Sequence, residues 1–139
     1  MPRPIYVLRG LREVVDNIVY VADCPVLPGE IEKLRGIVAV AKFCRHGQYD
    51  FGSYRRGLEI ARAEGFLSAD RADELVVAND SCYGPVYPFA EGFAKMAGRD
   101  LDFWGYMGYK AFGSTPDFIQ SFFYVFRRRV IDRSEEHTV

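Results

Sequence analysis

Three segments of the chain carry side chains suited to chemistry. The first is Asn79-Asp80-Ser81, which follows the apolar run Leu75-Val76-Val77-Ala78 and precedes Tyr83-Gly84-Pro85. A carboxylate at the end of a buried strand can hold a divalent cation through oxygen, and that cation can neutralise a diphosphate. The flanking amide and hydroxyl can bond a ribose or phosphate oxygen. The same three residue types are also favoured in plain turns, where they bond their own backbone. The second segment, Tyr49-Asp50-Phe51-Gly52-Ser53-Tyr54-Arg55-Arg56-Gly57, places small residues at the start of a helix. Free amides there make an anion seat, to which Arg55 and Arg56 would add charge. A capped helix with a solvated face has the same composition. The third joins Asp102-Phe103-Trp104-Gly105 with Gln120-Ser121-Phe122-Phe123. Aromatic rings stack on sugar C–H faces while Asp and Gln bond hydroxyls, although core aromatics on neighbouring strands would look alike. Gln120 is the better sugar ligand of its pair, because an amide both donates and accepts.

These segments need a scaffold. Ile5, Leu8, Leu11 and Val15 have helical spacing, which predicts a helix over Ile5–Asp16. Continuous apolar runs at Ile18–Ala22, Gly36–Ala41 and Leu75–Ala78 predict strands covered on both faces. Further strands are expected at Leu101–Tyr106 and, unbroken, at Phe118–Phe126, with a last helix starting in Arg127–Ile131. Asp50 is expected to cap one helix and Pro88 to open another. Strands alternating with helices predict an α/β fold with a single, mostly parallel sheet and helices on both faces. Ligands in such folds sit at the carboxyl ends of the strands, where Asn79-Asp80-Ser81 stands. One domain over residues 1–133 and a polar tail over 134–139 are expected.

Composition removes several alternatives. The chain has 139 residues, 27% of them charged, with a net charge of -1, so it lacks the basic excess of a protein that grips nucleic acid through phosphates. Its 14 aromatic residues between Tyr83 and Phe126, of 21 in all, concentrate any carved-out binding region in the second half. Cys24, Cys44 and Cys82 have no metal or redox spacing and read as buried small apolar residues in a reduced compartment. His46 has no partner at ligand spacing and reads as structural. Arg127-Arg128-Arg129 reads as a solvated helix start, with contact to an anionic membrane as the other use. No transmembrane run and no signal-peptide core follow Met1-Pro2-Arg3-Pro4, so the expected location is the cytoplasm, including the inner face of the membrane.

Taken in order, Asp50–Leu58, Asn79–Pro88, Asp102–Gly105 and Gln120–Phe123 with Val125-Phe126 resemble the rhamnan synthesis F family. The resemblance extends from about Ile5 to Ile131. It implies a GT-A-like fold and a glycosyltransferase, a rhamnosyltransferase using a nucleotide-diphosphosugar donor in cell-surface polysaccharide or lipopolysaccharide synthesis. It implies a divalent cation, Mn or Mg, at Asp80. Asn79, Asp80, Ser81, Asp50, Gly52 and Ser53 would bind the nucleotide and its cation. Asp102, Trp104, Gln120, Ser121 and Tyr83 would line the sugar or glycan acceptor side. His46 and Gln48 stand where family members often carry Asn and Gly. Against the family the chain reads as shortened at both ends, without the strand expected before the first helix and without the region expected to hold a catalytic base. The other function it implies is therefore a non-catalytic domain that holds glycan or a partner glycosyltransferase.

Overall fold

A computed structural model describes residues 3–81 and 84–136. In chain order the elements are α1 (Arg3–Leu11), β1 (Val19–Ala22), α2 (Glu30–Leu34), β2 (Val40–Phe43), α3 (Tyr49–Ala63), β3 (Glu74–Ala78), α4 (Phe89–Ala97), β4 (Phe103–Trp104), β5 (Gly108–Tyr109), β6 (Phe118–Ile119), β7 (Phe123–Arg127) and α5 (Arg128–Glu136). The expected mixture of helix and sheet is present. The expected single, mostly parallel sheet is not: the described strands form three sheets, β1-β2, β3-β7-β4 and β5-β6. Only β1 and β2 pair in parallel, with Val19 opposite Val40, whereas β7 runs antiparallel to both β3 and β4.

Two local causes separate expectation from structure. Phe118–Phe126 is not one strand. It pairs with β5 through Phe118 and Ile119, turns, and re-enters the fold as β7 between β3 and β4. A returning strand of this kind must be antiparallel to its neighbours, and apolar runs carry no sign of it. In addition, Gly36 adopts a positive φ of 76°, and the Ile37 and Val38 amides bond back to the Leu34 carbonyl. That turn closes α2, so β2 starts at Val40 rather than Gly36. Helix α1 is likewise shorter than Ile5–Asp16, its register carried on only by turn bonds from Arg12 to Leu8 and Val15 to Leu11.

The main core joins Ile5, Leu8 and Leu11 of α1 to Ile18, Leu34, Trp104, Phe123 and Val125. Val125 lies in β7, the central strand of its sheet, and is fully enclosed. A second cluster of Ala61, Leu67 and Ile131 fastens α3 and α5 to the opposite side, with Val19 and Leu75 against it. Strands β1 and β3 run in the same sense. Beyond the end of β1, Asp23 bonds the amides just ahead of α3; beyond the end of β3, Asn79 bonds Asp50 in the first turn of α3. Their starting residues meet at the second cluster. The two strands nevertheless do not pair, and a cleft of about 770 Å3 runs between them.

Candidate functional site

The mouth of this cleft lies at the carboxyl ends of β1 and β3 and is lined by Tyr20, Asp23, Asp50, Ser53, Asn79 and Asp80. Asp23 follows β1 directly. Its carboxylate accepts from the His46 amide at 2.7 Å and from the Gly47 amide at 3.1 Å. The Gly47 and His46 N–H groups hold its carboxyl below the usual carboxylate range, because they bond only the charged form well. Asp23 thus pins the loop that leads into α3.

His46 is closed in behind that loop, its side chain 2% exposed. Its Nδ1 accepts the Gln48 amide at 3.0 Å and its Nε2 lies 2.9 Å from Ser53 Oγ. With Nδ1 acting as acceptor, the neutral ring carries its proton on Nε2 and donates to Ser53. Ser53, His46 and Asp23 therefore resemble a nucleophile relay in sequence of contacts but not in direction. The Asp23–Nδ1 separation of 3.7 Å also exceeds hydrogen-bond range. The arrangement orients the Ser53 hydroxyl instead of activating it. Gly52 sits under the same ring: a Cβ there would lie 3.0 Å from the imidazole and overlap Gln48. Its smallness thus serves the fit of helix to His46, and it does not line the cleft.

Asp50 is not the helix cap; Gln48 takes that position without a side-chain bond. One turn in, Asp50 Oδ2 accepts from Asn79 Nδ2 at 2.7 Å. Asn79 Oδ1 in turn accepts the Ser81 amide at 3.0 Å, and the Asn79 amide donates to the Phe122 carbonyl at 3.1 Å. Two distant segments are thereby joined at one point. Burial raises the Tyr20 phenol above its ordinary value, and among nearby charges Asp80 contributes most. Tyr54 is raised in the same way, by burial first and then by Asp50, and its hydroxyl donates to the Ser121 carbonyl at 2.9 Å. Arg55 and Arg56 do not complete an anion seat: Arg55 pairs with Glu59, and Arg56 donates to Gln48 Oε1 and the Gly52 carbonyl.

The mouth is acidic, with Asp23, Asp50 and Asp80 on its lining. Bare phosphate is repelled by such a surface, whereas a hard cation is attracted by it. Among the described residues no three His, Cys, Asp or Glu side chains form a ready metal cluster. A cation of the Mg2+ type takes one or two carboxylates from protein and completes its shell with water and substrate phosphate, and Asp50 and Asp80 are the carboxylates of this lining that would be asked to hold one.

The aromatic half is arranged differently from expectation. Trp104 is 4% exposed and packs edge-on against Phe93 at 5.0 Å between ring centres, with Tyr106 and Phe123 close by. It backs a separate apolar cavity of about 470 Å3, walled by Pro85, Phe89, Tyr106 and Phe123. Asp102 is drawn away to an ion pair with Arg129 at 2.7 Å. The Gln120 main-chain N–H donates to the Met107 carbonyl, and the Ser121 main-chain carbonyl accepts from Tyr54. Asp102, Gln120 and Ser121 line neither cavity. Tyr83 and Cys82 lie outside the described residues. The arginine run starts α5 as expected but is solvated only at Arg129: Arg127 donates to the Met96 and Arg99 carbonyls and Arg128 to those of Leu67 and Ala72, while exposed Arg129 pairs with Asp100 and Asp102. Sequence reasoning passed over Tyr20 and Asp23. The usable signal was the place of Tyr20 within the apolar run Ile18–Ala22 and of Asp23 directly after it.

Five helices and three small sheets, with a carboxylate-bearing mouth at the ends of two like-directed strands, make this a chain of mixed helix and sheet among the described residues. The family model for rhamnan synthesis protein F matches residues 18–138, and the chain belongs to that family. Membership implies involvement in rhamnan polysaccharide synthesis and a glycosyltransferase-like role. Comparisons with curated proteins and with solved structures return no match.

Proposed function

We propose that the chain is a GT-A-like rhamnosyltransferase domain that binds a nucleotide-diphosphosugar at the acidic mouth. The observation that carries this reading is the 2.7 Å bond from Asn79 to Asp50, which joins the ends of β3 and α3 beside Asp80 and Ser53. Asp80 and Asp50 would hold the cation, which when bound offsets the charge of the leaving diphosphate. Asn79 fixes the Asp50 carboxylate, and Ser53, oriented by His46, offers its hydroxyl to a ribose or phosphate oxygen. Ala78 and Asn79 line both the cleft and the aromatic cavity, so a donor sugar at the strand end would reach Phe89, Tyr106 and Phe123. Attack by an acceptor hydroxyl on the face opposite the diphosphate would form the new C–O bond as the bond to the diphosphate breaks, inverting the anomeric centre, with the hydroxyl proton taken by a general base that is not among the residues named here. In this reading the domain works at the cytoplasmic face of the membrane. No described helix is long and apolar enough to cross a membrane.

A second reading, a domain that holds glycan or a partner glycosyltransferase without turnover, is favoured by the break in the sheet between β1 and β3. Calorimetry with nucleoside diphosphates and Mn2+ tests the first. Asp80→Asn should weaken cation-dependent binding by about 1–3 kcal/mol, the scale of a charge-assisted contact. Equal affinity for both proteins removes Asp80 from the site and leaves the second reading.

A further inference from the structure

The loop that opens α3 ends in a backbone conformation at odds with its residue. Tyr49, the first residue of α3, has a φ of 57°, and it is the one non-glycine residue with a positive φ among those described. A side chain with a Cβ is crowded in the left-handed region, and an aromatic one has no local hydrogen bond to offset this, as Asn or Asp would. Such a conformation persists where the surroundings over-determine it. Here they do. Asp23 accepts from the His46 and Gly47 amides, the His46 ring accepts from the Gln48 amide, and Gln48 Oε1 accepts from the Arg56 guanidinium at 2.7 Å.

What the loop holds up is a ring in water. Tyr49 is 87% exposed, and among the described residues its ring pairs with no other ring and its hydroxyl bonds nothing. Yet it lines the acidic mouth together with Asp50 and Ser53. An aromatic face held in place at the lip of a cleft, with nothing of its own chain against it, is preorganised to stack on a ligand. Its place selects the ligand. Tyr49 is not part of the aromatic cavity, which meets the cleft at Ala78 and Asn79. With a cation at Asp50 and Asp80 and the donor sugar turned toward Phe89, Tyr106 and Phe123, the nucleoside leaves the diphosphate toward the wall not shared with that cavity, where Tyr49 and Ser53 stand. The other tyrosine rings lining the mouth are engaged, Tyr20 with Phe43 and Tyr54 with Phe51. We infer that Tyr49 is the stacking platform for the nucleobase of the donor, aimed by its left-handed backbone. This deepens the nucleotide reading of the mouth and rests on it.

The test compares wild type, Tyr49→Phe and Tyr49→Asn with UDP, GDP and TDP, each with Mg2+, by calorimetry and by NMR of the nucleotide's base protons. Asn removes the ring and tolerates a left-handed φ, so that variant should melt no lower than wild type. On wild type the base protons of the nucleotide that binds should shift upfield, because they lie over the ring face, and the shift should vanish with Asn. Phe should keep the nucleotide affinity, whereas Asn should lose about tenfold or more, the scale of one base on one aromatic ring. Pyrophosphate with Mg2+, which has no base, should bind all the proteins equally. The inference is overturned if the Asn variant binds nucleotide as wild type does, if it weakens pyrophosphate to the same extent, or if the base protons do not shift. It is equally overturned if the Asn variant melts lower, which would give the ring a packing role, or if only binding of a rhamnose oligosaccharide suffers. Should pyrophosphate bind and no nucleotide bind better, the base has no seat and this inference fails alone. Should neither bind, the nucleotide reading itself fails and this inference with it.

Discussion

Trp104 separates a core role from a sugar-binding one, and the structure sets the size of the difference. The indole is 4% exposed, with Phe93, Tyr106 and Phe123 at 5.0, 5.7 and 6.5 Å between ring centres. Trp104→Ala removes those contacts and leaves a void that α4 and β7 cannot both close, which costs about 3–5 kcal/mol. A chain of this length gains about 0.3 kcal/mol/K of entropy on unfolding, so the melting temperature should fall by about 10–17 °C. Trp104→Phe provides the internal check. Among the described residues the buried indole N–H has no hydrogen-bond partner, a loss on the order of 1–3 kcal/mol that phenylalanine relieves. This gain offsets much of the lost packing, and the Phe variant should melt within a few degrees of wild type. Calorimetric melts of the three proteins at one pH, with far-ultraviolet circular dichroism to confirm the fold, make the measurement. If Trp104→Ala melts within about 3 °C of wild type, a cost of only ~1 kcal/mol, the core assignment is wrong and the ring belongs to a binding surface.

Gly52→Ala should cost about 1–3 kcal/mol, because its Cβ would press on the His46 ring and Gln48, and it should shift the His46 ring resonances in NMR. Asp23 supplies a pH test. Its folded-state pKa is lowered from 3.8, so its stabilising effect is complete above that value and is lost as pH falls through the lower folded value. Acid titration of stability should therefore show wild type converging on Asp23→Asn below about pH 4, and a constant gap between the two would refute the assignment.

The sequence disclosed the parts better than their assembly. Leu75–Ala78 and Ile18–Ala22 are strands because β-branched apolar runs suit a doubly covered position, and that property is local. Which strands pair is not local. Nothing in Phe118–Phe126 marks Gln120–Phe122 as the turn that sends β7 back between β3 and β4. At the site, Asn79 and Asp50 were both singled out from their own segments, but their bond depends on α3 and β3 meeting, which no spacing encodes. Asp102 and Trp104 were grouped because they stand in one segment, Asp102-Phe103-Trp104-Gly105. Asp102 precedes the two paired residues of β4 and answers instead to Arg129, a charge contributed by α5. Tyr54 stands in the segment singled out at the start of a helix, but its hydroxyl crosses to the Ser121 carbonyl and locks α3 against the β6–β7 turn.

The central claim is that a nucleoside diphosphate and a divalent cation meet at the acidic mouth. The most direct measurement is an amide NMR map of the labelled protein titrated with UDP, GDP and TDP, each with and without Mg2+. The account predicts that at least one nucleotide, only with the cation present, shifts the amides of Asp50 to Ser53 and of Ala78 to Ser81 while leaving α5 unmoved. It is contradicted if no nucleotide shifts either segment, or if the shifts fall on Pro85, Phe89 and Tyr106 around the aromatic cavity and spare the mouth.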